Sequence, residues 1–142
     1  MQLIVLMFFL TGALFLASCS QGEQIEPGEV LNKYTNLWKE QEFEQMYEML
    51  TEETREKYDP EDFILRYEKI YQDLDINKVA IDIDRENAEK KADLVSFPIK
   101  VSLHSIAGQI QFKTSIQLKA FTDDETNSQT WQVNWSPKLI FP

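Results

Sequence analysis

The chain contains one cysteine, Cys19, and it ends the tetrapeptide Leu16-Ala17-Ser18-Cys19 after an apolar run from Leu3 to Ala17. A thiol at this position is a candidate for lipid attachment. The branched side chain of Leu16 and the small ones of Ala17 and Ser18 suit the narrow subsites of a lipoprotein signal peptidase, and Cys19 supplies the sulfur that takes a diacylglyceryl group. Only Thr11 and Gly12 interrupt the run, which is shorter than the about 20 residues that cross a bilayer and has the length of a signal-peptide core. Met1-Gln2 provides the positive N-terminal charge through the α-amino group alone. The expectation is a signal peptide over 1–18, removal of which leaves a mature chain tethered by the lipid on Cys19 to the outer face of the bacterial cytoplasmic membrane. Its only cysteine being used for lipid, the exported domain has no internal disulfide and depends on its core.

The other chemistry-bearing residues are sparse. His104 is the single histidine, and it alternates against Val101 and Leu103, which places it at a surface or turn. With no second histidine and no spare cysteine, a zinc site has no ligand set, and neither a metal nor a cofactor is expected. Asp82 and Asp84 alternate against Val79, Ile81 and Ile83 and so face solvent, while no Asp or Glu occurs from Leu94 to Thr122. The aromatic residues Tyr34, Trp38, Tyr67, Tyr71, Trp131 and Trp135 are candidates either for lining a ligand cavity between helices and sheet or for ordinary core. The acids Glu40, Glu42, Glu44, Glu48, Glu52 and Glu53 form a solvated face. The formal charge of −10 belongs wholly to the mature chain, because residues 1–18 hold no ionisable side chain. Such a charge repels nucleic acid and anionic lipid as partners.

The elements that position these residues divide into a helical half and a strand half. Cys19 to Pro27 is polar with Gly and Pro and makes a tether over 19–27, leaving a domain over 28–142. Val30, Leu31, Tyr34, Leu37 and Trp38 share one face of a helix, and Phe43, Met46, Tyr47 and Leu50 repeat the spacing after the polar break Lys39-Glu40-Gln41-Glu42. Thr51-Glu52-Glu53-Thr54 closes that second helix. Asp59-Pro60-Glu61-Asp62 opens a third, with Asp59 as cap and Pro60 at the first helical position, running through Phe63, Tyr67, Ile70, Tyr71 and Leu74.

From Ile76 the period changes to two. Val79, Ile81 and Ile83 line one face, Arg85 to Lys91 forms a charged turn, and Val95, Phe97, Ile99, Val101 and Leu103 line the next strand. Ile110, Phe112, Ile116 and Leu118 follow after a turn at His104 to Gly108, then Trp131, Val133 and Trp135. The predicted fold class is α+β: three N-terminal helices packed on a curved antiparallel sheet of about four strands.

Three segments carry a family resemblance: the helix beginning Leu31-Asn32-Lys33-Tyr34 with Trp38, the segment Phe63 to Tyr71, and Trp131-Gln132-Val133-Asn134-Trp135-Ser136-Pro137-Lys138-Leu139-Ile140-Phe141-Pro142. Together they resemble the N-terminal domain of class B penicillin-binding proteins of the methicillin-resistance type, over essentially the whole mature chain. The resemblance implies a cone of the nuclear transport factor 2-like fold, anchored to the outer face of the cytoplasmic membrane ahead of a linker and a transpeptidase domain. It also implies a non-catalytic spacer that lifts the transpeptidase towards the cell wall and, in the resistance enzymes, contributes to an allosteric surface. The partner implied is the transpeptidase region of a penicillin-binding protein.

Transpeptidation itself needs a nucleophilic serine with a lysine three residues on, plus Ser-x-Asn and Lys-Thr-Gly elements. No serine here has that lysine, no Ser-x-Asn occurs, and Lys113-Thr114-Ser115 stands alone as a near match to the third element. No enzyme is therefore expected in this chain. Some nuclear transport factor 2-like proteins are enzymes that hold a tuned carboxylate in the pocket, but the acid-free central strands offer none. The apolar ending Lys138 to Pro142 favours continuation into further protein. The alternative is a free-standing lipoprotein that uses the same fold to bind a small apolar ligand or a partner protein.

Overall fold

The computed structural model describes residues 24–125 and 127–140. Pro27 at the first helical position starts α1 (Pro27–Glu40), whose buried face carries Val30, Leu31, Tyr34, Leu37 and Trp38. The helix ends where Gln41 takes a left-handed backbone, φ 62°, and donates its N–H to the carbonyls of Leu37 and Trp38. The polar break seen in the sequence is thus a helix C-cap, and α2 (Phe43–Glu48) begins at once beyond it.

The expected closure at Thr51 to Thr54 is corrected. Thr51 opens a separate helix, α3 (Glu52–Lys57), by accepting the Thr54 N–H on Oγ1 at 3.2 Å. The cause is long-range. Leu50 forms a parallel bridge with Val133, the Thr51 N–H donates to the Val133 carbonyl at 3.0 Å, and the Val133 N–H donates to Met49 at 2.8 Å. Pinned in this way to a strand 80 residues on, the chain must leave its helix and restart. α4 (Pro60–Asp73) follows the sequence reading, with Asp59 Oδ1 accepting the Asp62 N–H at 2.8 Å and Pro60 next to it. Among the described residues four α-helices therefore precede the sheet, not three.

Among the described residues the sheet has five strands: β1 (Ile76–Ile83), β2 (Glu89–Lys91), β3 (Leu94–Ser105), β4 (Gly108–Thr122) and β5 (Gln129–Val133). All pair antiparallel in the order β1-β3-β4-β5, with β2 also on β3. Sequence periodicity missed β2, placing it inside a charged turn, because all three of its residues are exposed and leave no apolar alternation to detect. A register shift between Ile76 and Lys78 lets both Ile76 and Val79 point inward, although their spacing of three puts them on opposite faces of a regular strand.

Helices cover one face of the curved sheet, giving the α+β cone predicted. Their apolar faces meet Val95, Phe97, Ile99, Val101 and Leu103 of β3, Ile116 and Leu118 of β4, and Trp131 and Val133 of β5, all buried. A short 3-10 helix (Pro137–Leu139) then seats Leu139 and Ile140 in the same core. Because the Thr51 hydroxyl caps α3 and also hydrogen-bonds the Thr54 hydroxyl at 2.7 Å, Thr51→Ala is expected to lower stability by about 1–2 kcal/mol, with Thr51→Ser retaining most of it. Urea unfolding of the three proteins side by side measures this.

Candidate functional site

Five of the six aromatic residues singled out in the sequence come together in one cluster around Tyr67. Its ring meets Trp38 edge-on at 5.5 Å, stacks on Phe43 at 5.1 Å and lies 5.0 Å from Phe63. Trp135 packs against Phe63 at 5.0 Å and against Tyr58 at 5.1 Å, both edge-to-face, and Tyr71 meets Phe43 at 5.5 Å. Tyr34, Trp38 and Tyr67 are essentially without solvent contact. Phe43, Tyr58 and Phe63 complete the cluster. The helical spacing marked Phe43 and Phe63 as inward-facing, but nothing in it tied them to Trp135.

The hydroxyls of Tyr34, Tyr67 and Tyr71 and the indole N–H of Trp135 are all hydrogen-bonded. The Trp135 Nε1–H donates to the Tyr67 hydroxyl at 3.1 Å, and the Tyr34 and Tyr67 hydroxyls share a hydrogen bond at 3.3 Å. Tyr71 donates to the Trp38 carbonyl at 3.1 Å, satisfying one of the carbonyls left open at the end of α1. Burial raises the pKa of all three tyrosines: for Tyr34, proximity to Tyr67 adds to it, and for Tyr67 and Tyr71, hydrogen bonds offset only part of it. At physiological pH these hydroxyls are neutral hydrogen-bonding groups.

Trp131, the sixth residue, lies apart. It borders a depression of about 320 Å³ with Ile25, Pro27, Ala88 and Val95, where the segment entering α1 crosses the sheet. Asp82 and Asp84 are exposed as expected, and Asp82 forms an ion pair with Lys100 at 3.3 Å. His104 lies on the outer sheet face with its Nε2 3.4 Å from the Gln109 amide. Lys113 and Ser115 face outward on β4, and Thr114 between them is half-buried. Among the described residues, no group of three or more His, Cys, Asp or Glu is placed to hold a metal. Likewise no helix among them is long and apolar enough to cross a membrane. Cys19 and the residues Leu16, Ala17 and Ser18 lie outside the described residues.

Charge is divided between the two layers. Residues 24–75, the helical layer, carry fifteen acidic against six basic side chains, whereas residues 76–140 carry eight of each. The negative charge is thus a property of the helices. Hydrogen bonding and the charge of Lys57, with a further contribution from Lys119, hold the exposed Glu53 carboxyl below its ordinary range. The outer face of the sheet presents Lys78, Lys100, Lys113 and Lys119 together with the acids Asp82, Asp84 and Glu89.

The sequence of residues 26–142 matches the family model described as the NTF2-like N-terminal transpeptidase domain. The chain therefore belongs to this family. It is 30% identical over 142 residues to penicillin-binding protein 3 of Bacillus subtilis strain 168, a match covering 97% of this chain and 20% of that protein. A solved SEC-C motif containing protein from Psychrobacter arcticus shares the fold, with a TM-score of 0.57 and 8% identity over 82% of this chain and 63% of the other. The chain thus spans one fifth of the length of its penicillin-binding relative and corresponds to the N-terminal domain.

Two outcomes follow from the cluster. Tyr67→Phe leaves the buried Trp135 N–H without its acceptor and is expected to cost about 1–3 kcal/mol in chemical unfolding, whereas Tyr47→Phe, which loses a hydrogen bond to the Tyr58 carbonyl at the margin of the cluster, costs less. Second, because Tyr34, Tyr67 and Tyr71 have folded-state pKa values above their unfolded value of 10.0, the folded state retains protons that the unfolded state releases. Their contribution is intact below pH 10 and is lost as pH rises beyond it. Absorbance at 295 nm and near-ultraviolet circular dichroism should show their phenolates appearing together with loss of tertiary structure.

Proposed function

We propose that this chain is the non-catalytic, membrane-tethered N-terminal module of a penicillin-binding protein that serves peptidoglycan synthesis and the response to β-lactams. The observation that carries this reading is the match over residues 26–142 to a family of N-terminal domains, joined to a penicillin-binding relative of which the chain spans one fifth of the length. The family relation makes the partner a transpeptidase region. The lipoprotein pattern ending at Cys19 supports attachment to the outer face of the cytoplasmic membrane, with the polar segment 19–27 as a short tether. A densely packed helix-on-sheet body is suited to holding another domain at a fixed height, since its interior resists deformation. Chemistry is not asked of it: the clustered tyrosines are neutral and buried, and Asp82 and Asp84 lie on the solvent side of the sheet.

An antibody against this domain, used on native membranes alongside fluorescent penicillin, tests the proposal. A penicillin-labelled band several times the mass of this chain is expected; a small unlabelled band overturns it in favour of an independent lipoprotein. Cys19→Ala is expected to abolish incorporation of radiolabelled palmitate and to release the protein from membranes. Retention of label by that variant removes Cys19 from the anchoring role.

A further inference from the structure

The segment that leads into α1 is attached to the sheet far more weakly than the helix it precedes. Among the described residues, one hydrogen bond joins Gln24, Ile25 and Glu26 to a strand: the Ile25 N–H donates to the Gln129 carbonyl at 3.3 Å, at the start of β5. All three residues are exposed, Ile25 by 40%. They form one side of the depression of about 320 Å³ whose other side is Ala88, Lys90, Val95 and Trp131. The segment borders that hollow without filling it, so little buried apolar area holds it down.

The opposite holds one turn later. From Val30 onward α1 buries Val30, Leu31, Tyr34, Leu37 and Trp38. Its first two turns are also held from outside, by Arg85 of the loop between β1 and β2. The Arg85 Nη2–H donates to Asn32 Oδ1, and a Cβ on Gly28 would stand only 2.8 Å from Arg85 Nη1. Glycine leaves the guanidinium this room. The loop is itself fixed, because the Asp84 carboxylate accepts the Asn87 backbone N–H at 3.2 Å and its side-chain amide at 2.8 Å. Local opening breaks only the contacts of the part that opens, so the entering segment and the helix differ widely in the cost of leaving the sheet.

We propose that residues 24–26 are a strap with two positions, seated on β5 beside Trp131 or lifted from it, and that Arg85 helps stop the lifting at α1. Lifting frees three more residues of chain ahead of the domain, up to about 10 Å of reach at about 3.5 Å per residue, and opens Trp131 to solvent with the core intact. At the base of a lipid tether, the strap gives the domain two reaches from the membrane. That use rests on the tether reading; the two positions themselves do not.

Hydrogen exchange of the 15N-labelled full chain in detergent micelles tests the strap, with a soluble gadolinium chelate to report exposure of the three indole N–H groups. The Ile25 amide is expected to exchange roughly a hundredfold faster than those of Leu31, Tyr34 and Leu37, although it is hydrogen-bonded. Ile25→Pro, which removes the donor N–H, should increase broadening of the Trp131 indole about twofold, leave Trp38 and Trp135 unchanged and retain the thermal transition. Arg85→Ala should speed exchange at Leu31 about tenfold without changing Ile25, and Gly28→Ala, whose methyl group displaces the guanidinium, should act in the same direction. The proposal is overturned if Ile25 exchanges as slowly as Tyr34, or if Ile25→Pro leaves Trp131 as shielded as before or lowers the thermal transition. It is also overturned if Arg85→Ala leaves Leu31 unchanged. None of these readings needs lipid on Cys19, so their outcome is separate from that of the palmitate experiment.

Discussion

The two long helices are oriented by one buried phenol. The Tyr67 hydroxyl of α4 accepts the indole N–H of Trp135 and shares a hydrogen bond with Tyr34 of α1, so two helices and the segment after β5 meet at one oxygen. A buried polar atom without a partner costs free energy, and this makes the three side chains settle in one mutual arrangement instead of sliding over one another as plain hydrocarbon surfaces can. The rings of Trp38, Phe43 and Phe63 fill the space around that oxygen in edge-on, stacked and tilted contacts. The aromatic residues that make this motif recognisable in the sequence are thus the residues that fix the helices to the sheet.

The second constraint is the junction at Val133. Its N–H and C=O are taken by Met49 and Thr51, which extends the sheet by a parallel bridge into the helical layer. The junction explains the break between α2 and α3 and joins the beginning of the domain to its end. Together the two constraints make a body in which the N-terminal helices and the C-terminal segment are bound to the same strand.

Charge adds a third level of organisation. The helical layer carries nearly all of the excess negative charge, and the sheet layer is balanced, with lysines on its outer face and its acids near strand ends and turns. The helices therefore discourage approach to anionic surfaces more strongly than the sheet does.

Much of this was legible in the residues themselves. Helical spacing found the buried faces of α1 and α4, the Asp59-Pro60 start was visible because capping acts over three residues, and alternation placed Asp82 and Asp84 outside. The sequence motif around Trp131 to Pro142 pointed to the family. The restart at Thr51, the pairing of the wholly exposed β2 and the separation of Trp131 from the other aromatics were decided only by tertiary structure. The reason is range: capping and periodicity act between residues a few positions apart, whereas Tyr67 finds Tyr34 across 33 residues and Trp135 across 68, distances at which the local pattern carries no information about the partner.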